Sequence, residues 1–319
     1  MTPLIKLNDV KMHFTQRKGL HTTTIRAVDG VSFSIDKGET VAVVGESGSG
    51  KTTLGRITLR ILPPTSGQLV FDGNEITKTK ERDLDWFRRV AGMIFQDPYA
   101  SINPRMQVEQ IISEPLVIHK MNKKTRRDKV FQRLEEVKLT PPDVFASKYP
   151  YTLSGGQRQK VAIARAMILD LKYIVADEPV SMIDVSNRAE ILCLLKEIQT
   201  RHGITVLYIT HDIATARYFA DRIAVMYLGK IVEMGNSGEI ISEPLHPYTQ
   251  ALLEAVPEPN PNNLLRERKE IKGEPPRPDN IPQGCRFHPR CFASKRGQCD
   301  RMEPQMIEAK PSHHVACFL

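Results

Sequence analysis

The sequence predicts an α/β fold. It should hold a parallel sheet with helices on both faces, an antiparallel β edge, a helical insertion and a small irregular tail carrying cysteines. Three observations lead there. First, Gly45-Glu46-Ser47-Gly48-Ser49-Gly50-Lys51-Thr52 fits the phosphate-loop pattern G-x-x-x-x-G-K-[ST]. An apolar run from Thr40 to Val44 precedes it, and a helix-spaced stretch from Leu54 to Leu62 follows and stops at Pro63-Pro64. Second, Tyr173 to Asp177 (YIVAD) and ITVLYIT before His211 read as fully buried strands, separated by helical patterns. Third, residues 4–35 alternate with period two.

In chain order, LIKLNDVKMHF should be a strand, followed by a polar basic loop and the strand AVDGVSFSI, with turns at Asp29-Gly30 and Lys37-Gly38. Phe14 closes the first run; its ring suits either the core or an adenine base. In the glycine loop, successive N–H groups can turn inward on a phosphate, and the helix start adds partial positive charge. Lys51 would reach the β- and γ-phosphates, and the Thr52 hydroxyl would sit on Mg²⁺, with Thr53 next in the same helical turn.

QLVF with Asp72-Gly73 reads as a hairpin, ERDLDWFRRV as a charged helix, and AGMIFQ as a strand ending at Gln96. From Asp97 to about Pro150 the chain turns helical and polar, as expected of a helical subdomain. Leu153-Ser154-Gly155-Gly156-Gln157 then opens a strongly periodic helix, another anion-binding end. The strand ending in Asp177-Glu178 offers a carboxylate for a metal and, one residue on, a general base for water. His211 ends another strand, where an imidazole can bond a γ-phosphate. RAEILCLLKEIQ should be a helix burying Cys193 as a small hydrophobe. IAVMYLG and KIVEMG complete the core around Gly229, and beyond about Pro244 strands should vanish.

The bulk numbers are those of a soluble globular chain of 319 residues with net charge +8 and pI ≈ 9.2. The densest basic run, Lys120 to Lys129, has no interleaved aromatic residue and reads as a solvated helix face rather than a nucleic-acid patch. No apolar run is long enough to span a membrane, and MTPLIKLNDV lacks the layout of a signal peptide, so a cytoplasmic protein is expected.

Taken together, GESGSGKT, LSGGQ and IVADE make the chain resemble the nucleotide-binding subunits of ATP-binding-cassette transporters over residues 4 to about 240. TLGR, QDPYASINPRM and PLHPYTQALLEAVP resemble the dipeptide/oligopeptide importer branch, and within it the second of two paired ATPase subunits. The composition shift beyond about Pro244 places a boundary near Pro257, giving a cassette over residues 1–256, with a helical subdomain at about 97–160, and a C-terminal extension over 257–319. The resemblance implies an ATPase that uses Mg²⁺ held by Thr52, Gln96 and Asp177. Glu178 would be the base, Gln96 the sensor of the γ-phosphate and partner, and His211 the switch. Leu153 to Gln157 would act in trans on a partner's ATP, while Ser181 and Asp184 carry cross-talk between subunits. Met182-Ile183 departs here from the family's usual Ala-Leu.

The implied partners are a second ATPase subunit, two transmembrane permeases and an extracellular solute-binding protein, with this chain on the cytoplasmic face of the membrane. Oligosaccharide or nickel are alternative substrates. A soluble cassette acting on nucleic acid or ribosomes is the rival class, but it usually has two cassettes or a long coiled coil, and neither pattern is present.

Cys285, Cys291, Cys299 and Cys317 follow C-x5-C-x7-C-x17-C, which matches no standard zinc or ferredoxin spacing. A cytoplasmic location argues against disulfides. The segment resembles the importer branch's extension, in which four such cysteines can hold a [4Fe–4S] cluster. Zinc is the alternative, with His288, His313 and His314 as further ligands.

Overall fold

The computed structural model describes residues 2–18, 21–256, 271 and 273–319. The chain forms two compact units, Met1–Lys78 with Tyr208–Leu319, and Thr79–Leu207.

In the first unit, strands β1 (Ile5–Lys18) and β2 (His21–Ile35) pair antiparallel. Ile5, Leu7 and Val10 of β1 and Val31, Phe33 and Ile35 of β2 are buried by the expected alternation. The strands run through the segment expected to be a basic loop, because the Thr22–Thr23–Thr24–Ile25 run is β-branched and suits a pleated surface. Asp29-Gly30 is no turn; it lies inside β2, where the register slips and Gly30 takes φ 84°.

β3 (Thr40–Val44) is buried at every position and leads into the glycine loop and helix α1 (Lys51–Thr58). The helix stops four residues short of Leu62: Arg60 is left-handed at φ 52°, and the amides of Arg60 and Ile61 bond back to Ile57 and Arg56. β4 (Ser66–Phe71) joins β1, and Asp72 and Gly73, both at positive φ, turn it into β5 (Asn74–Glu75).

In the second unit, the expected charged helix is broken into a single turn at Glu81–Asp83 and the short α2 (Asp85–Arg88). Strand β6 (Ala91–Ile94) ends two residues before Gln96 rather than at it. The helices α3 (Pro98–Ser101), α4 (Val108–Ile118), α5 (Lys123–Glu136) and α6 (Pro142–Ala146) follow. Ile111, Ile112 and Leu116 of α4 and Val130 and Leu134 of α5 are buried; Lys123, Lys124 and Arg127 of α5 are exposed, whereas its Arg133 is buried. α7 (Gly155–Ala166) contacts α4, and its Arg165 ties the two by bonding Glu114 at 2.7 Å. β7 (Tyr173–Asp177) lies parallel to β6. α8 (Val185–His202) is longer than the periodic run and closes on left-handed Gly203. Cys193 is exposed on it, not buried: the helix turns that position outward while Ile191, Leu194 and Leu195 face in.

β8 (Thr205–Thr210) carries the chain back to the first unit, where α9 (Ile213–Phe219), β9 (Arg222–Tyr227) and β10 (Lys230–Asn236) follow. β9 is parallel to β3, and a turn through Leu228 and Gly229 reverses the chain into β10. α10 (Ser237–Ser242) and α11 (Pro247–Glu254) come next. Strands do not vanish in the tail: β11 (Ile307–Lys310) pairs with β12 (His313–Val315), which extends the sheet at β10. Three residues of β12 give no period to read, and the sheet edge supplies the pairing. Residues 257–270 and 272, where the expected tail begins, lie outside the described residues.

Candidate nucleotide site

The buried Lys51 ammonium donates to the carbonyls of Gly45 at 2.7 Å and Glu46 at 2.8 Å, so the loop curls round its own cation. Gly50 precedes the helix at φ 105°, and a Cβ there would stand 2.0 Å from the Ala27 carbonyl oxygen. Gly48 is also left-handed, at φ 78°, but a Cβ would meet nothing within 4 Å. One glycine is demanded by close packing and the other by backbone conformation, with open space in front of it. Gly229 N–H donates to Ser49 O at 2.8 Å, fixing the loop to the β9–β10 turn. Phe14 sits within β1 and is 37% exposed, so its ring is accessible and not core. His211 is exposed immediately after β8, where Asp212 caps α9 by accepting from Ala214 N–H at 2.9 Å.

The second unit brings Gln96 and Glu178 together: Gln96 Nε2 donates to Glu178 Oε2 at 3.1 Å. Each follows one of two parallel strands. Asp177, the last residue of β7, is buried. Glu178 takes φ 44°, an uncommon conformation for a residue with a side chain, and one often kept where it aims a functional group. Ser181 Oγ donates to Glu178 O at 3.0 Å, linking the following turn to the same residue. Ile183 is buried, whereas Met182 is 55% exposed and Asp184 exposed at the start of α8. Ser154 caps α7 through a capping box with Gln157, their bonds 3.3 and 3.1 Å long, and is itself exposed beside Gly155 and Gly156. Leu153 is buried and anchors this helix start.

In the tail, Cys285, Cys291, Cys299 and Cys317 line one small cavity together with His288 and Phe287. All are free thiols, and Cys285 N–H donates to Cys299 O at 2.8 Å. Burial pushes the Cys285 thiol up to about 11 and raises those of Cys291 and Cys317. No group of three or more His, Cys, Asp or Glu that could hold a metal ion is found among the described residues. His313 is withdrawn from the cysteines: wholly buried, its Nε2 lies 2.7 Å from Glu233.

The family profile described as "ABC transporter" matches residues 28–181, and that described as "Oligopeptide/dipeptide transporter, C-terminal region" matches 232–299. The chain is 47% identical, over 99% of its length and 95% of the relative's, to a "Putative oligopeptide transport ATP-binding protein YkfD" of Bacillus subtilis. It is 46% identical to the "Oligopeptide transport ATP-binding protein AppF" of the same organism, covering 99% of this chain and 97% of that one. The chain belongs to the ABC transporter family, among its oligopeptide/dipeptide ATP-binding subunits. A solved dimer of the ATP-binding cassette MJ0796, in a post-hydrolysis state bound to ADP and Pi, aligns with TM-score 0.65 at 32% identity. That alignment covers 73% of this chain and 98% of that one.

The cassette is thus an ATPase, with ATP and Mg²⁺ as the expected ligands of the family. Among the described residues no helix is long and apolar enough to cross a membrane. Sequence reasoning missed the residues that hold the cassette's phosphate loop from outside. Tyr248 Oη accepts from Glu46 N–H at 2.8 Å, and Arg290 donates to both carboxylate oxygens of Glu46, at 2.7 and 3.0 Å. Arg286 bonds Asp29 and the Leu228 carbonyl. Burial opposes ionisation of Asp29, but Arg286 and His13 outweigh it and hold its carboxyl below the ordinary value. The only signal for these residues lay in the PLHPYTQALL and GCRFHPRC segments, whose resemblance named a branch without assigning roles.

Proposed function

We propose that this chain powers the uptake of oligopeptides or dipeptides, working at the cytoplasmic face of the membrane with a second ATPase subunit, two permeases and an extracellular solute-binding protein. The cassette would span residues 1–256, with its helical subdomain at about 97–160, and the extension residues 257–319. The observation that carries hydrolysis is the Gln96–Glu178 hydrogen bond of 3.1 Å beside buried Asp177. Lys51 and the amides of Gly45 to Thr53 would bind the phosphates, Phe14 would stack on the adenine, and Thr52, Gln96 and Asp177 are the residues that would hold Mg²⁺. Glu178 draws a proton from the attacking water, and His211 contacts the γ-phosphate. Exposed Ser154 and half-buried Gly156 cover the partner's ATP, with Ser181 and Asp184 at the same interface. Full-length similarity to named peptide transport ATP-binding proteins supports the substrate class.

Pull-down of the chain from detergent-solubilised native membranes tests this. Two permeases and a second ATPase should co-purify. Recovery with ribosomes or nucleic acid from the soluble fraction would overturn the transport reading.

We infer further that Cys285, Cys291, Cys299 and Cys317 hold a [4Fe–4S] cluster rather than zinc, in a structural role. The convergence of four thiols on one cavity supports it. His313's bond to Glu233 takes that histidine out of the zinc alternative, which would then rest on His288. Anaerobically purified protein should contain iron and sulfide; zinc in their place would refute the cluster.

A further inference from the structure

The phosphate-loop pattern leaves its second position open, and here that position is acidic. A carboxylate beside the binding site of a triphosphate is a liability unless something neutralises it and fixes its direction. Arg290 does both by geometry. Its guanidinium meets the Glu46 carboxylate fork to fork, Nη1 to Oε2 at 2.7 Å and Nη2 to Oε1 at 3.0 Å. The arginine is 8% exposed, and its Nη1 also lies 3.4 Å from the Tyr227 hydroxyl. Burial works against its charge, but the bonds to Glu46 and Tyr227 outweigh it and raise its pKa. The Glu46 backbone is held independently by Tyr248, and the Tyr227, Tyr248 and Phe287 rings pack on one another with centroids 4.7 to 5.3 Å apart. The Glu46 carbonyl in turn receives the Lys51 ammonium at 2.8 Å.

We propose that Arg290 is a positioning residue for the phosphate loop: by pairing with Glu46 it keeps that carboxylate off the phosphates and off Lys51, and so sets the affinity for ATP. The C-terminal extension is thereby a working part of the nucleotide site in cis. Arg290 immediately precedes Cys291, so whatever orders the cysteine cavity also orders this latch. The proposal rests on ATP binding at the phosphate loop, not on what the cysteines hold or what is transported.

The test is a double-mutant cycle on the full-length chain, reading the dissociation constant for Mg·ATP by calorimetry and the split of KM and kcat in the assembled transporter. Arg290→Gln leaves Glu46 charged and unpaired, and should weaken ATP binding on the order of tenfold, with kcat changed by less than about twofold. Adding Glu46→Gln removes the stray charge, so the double variant should bind within about threefold of the parent. Arg290→Lys keeps charge without the fork; it should lie between the two and serves if Arg290→Gln does not fold. Parental affinity in both Arg290 variants, or a double variant no better than the single, would overturn the proposal. A merely structural arginine gives the second result, because Glu46→Gln cannot restore lost packing.

Discussion

Glu178→Gln separates binding from chemistry in this cassette. The substitution is isosteric and retains an oxygen for Gln96 Nε2, which now donates to Glu178 at 3.1 Å. It also asks for the same backbone φ of 44° that the glutamate adopts. The site should therefore keep its shape and lose only the group that takes the proton. A positioned general base is worth roughly 10²–10⁴ in rate, which is about 3–5 kcal/mol of barrier. The hydrogen bond to Gln96 sets the lower scale. Both side chains are exposed enough for water to substitute, so its loss costs about 1 kcal/mol, roughly fivefold in rate. The large gap between those figures decides which residue does the chemistry. Phosphate release from the assembled transporter measures turnover, and retention of labelled ATP on gel filtration measures binding. Glu178→Gln should retain ATP, accumulate the closed dimer and cease turnover. Hydrolysis at the parental rate, or a loss no larger than about fivefold, would refute the base assignment.

Gly50→Ala forces a Cβ to within 2.0 Å of the Ala27 carbonyl at φ 105°, so it should lower stability by roughly 2–4 kcal/mol and abolish ATP binding. Gly48→Ala, with open space around it, should cost only about 1 kcal/mol; urea unfolding midpoints compare the two. Ser154→Ala removes a capping box worth about 1 kcal/mol, yet under the proposed trans role of this serine the chain's own ATP affinity should hold while turnover of the assembled dimer falls. His246 is buried, with its Nδ1 accepting from Tyr248 N–H at 3.0 Å, and burial holds its pKa down at about 3. The unfolded chain takes up that proton near pH 6.5 and the native one does not. Stability is therefore full above pH 6.5 and falls by about 1.4 kcal/mol per pH unit as the pH drops toward 3, roughly 2 kcal/mol by pH 5. His246→Asn, which can still accept the amide, should flatten this slope in denaturant titrations at pH 5 and pH 7.

The elements legible in the sequence were those whose period is dictated by burial on both faces. Thr40–Val44 and Tyr173–Asp177 have the bounds their apolar runs announce. Where tertiary context overrode the local pattern, the reading failed. β1 and β2 extend through a polar stretch because each supplies the other's hydrogen bonds, and α1 ends early on a left-handed arginine that no glycine or proline flagged. Cys193 sits among leucines in sequence but turns to solvent, since an eighteen-residue helix packed on one side must present even an apolar run's outer positions. β12 is three residues long and owes its strand to the free edge of β10.

The site itself was legible where chemistry tolerates no substitute and silent elsewhere. A phosphate needs the glycine amides, a lysine and a hydroxyl, so those positions identify themselves. The open positions of the same motif carry no such demand, and Glu46 could be anything that its surroundings accept. What they hold here is a buried arginine 244 residues later in the chain, next in sequence to Cys291 of the cysteine cavity. Such a pair leaves no periodicity or spacing to detect, because it joins two segments that meet only in the fold. The unconstrained positions of a catalytic loop are therefore where a particular cassette can attach its own control. In this chain the attachment is a two-pronged ion pair between a buried arginine and the loop's own glutamate.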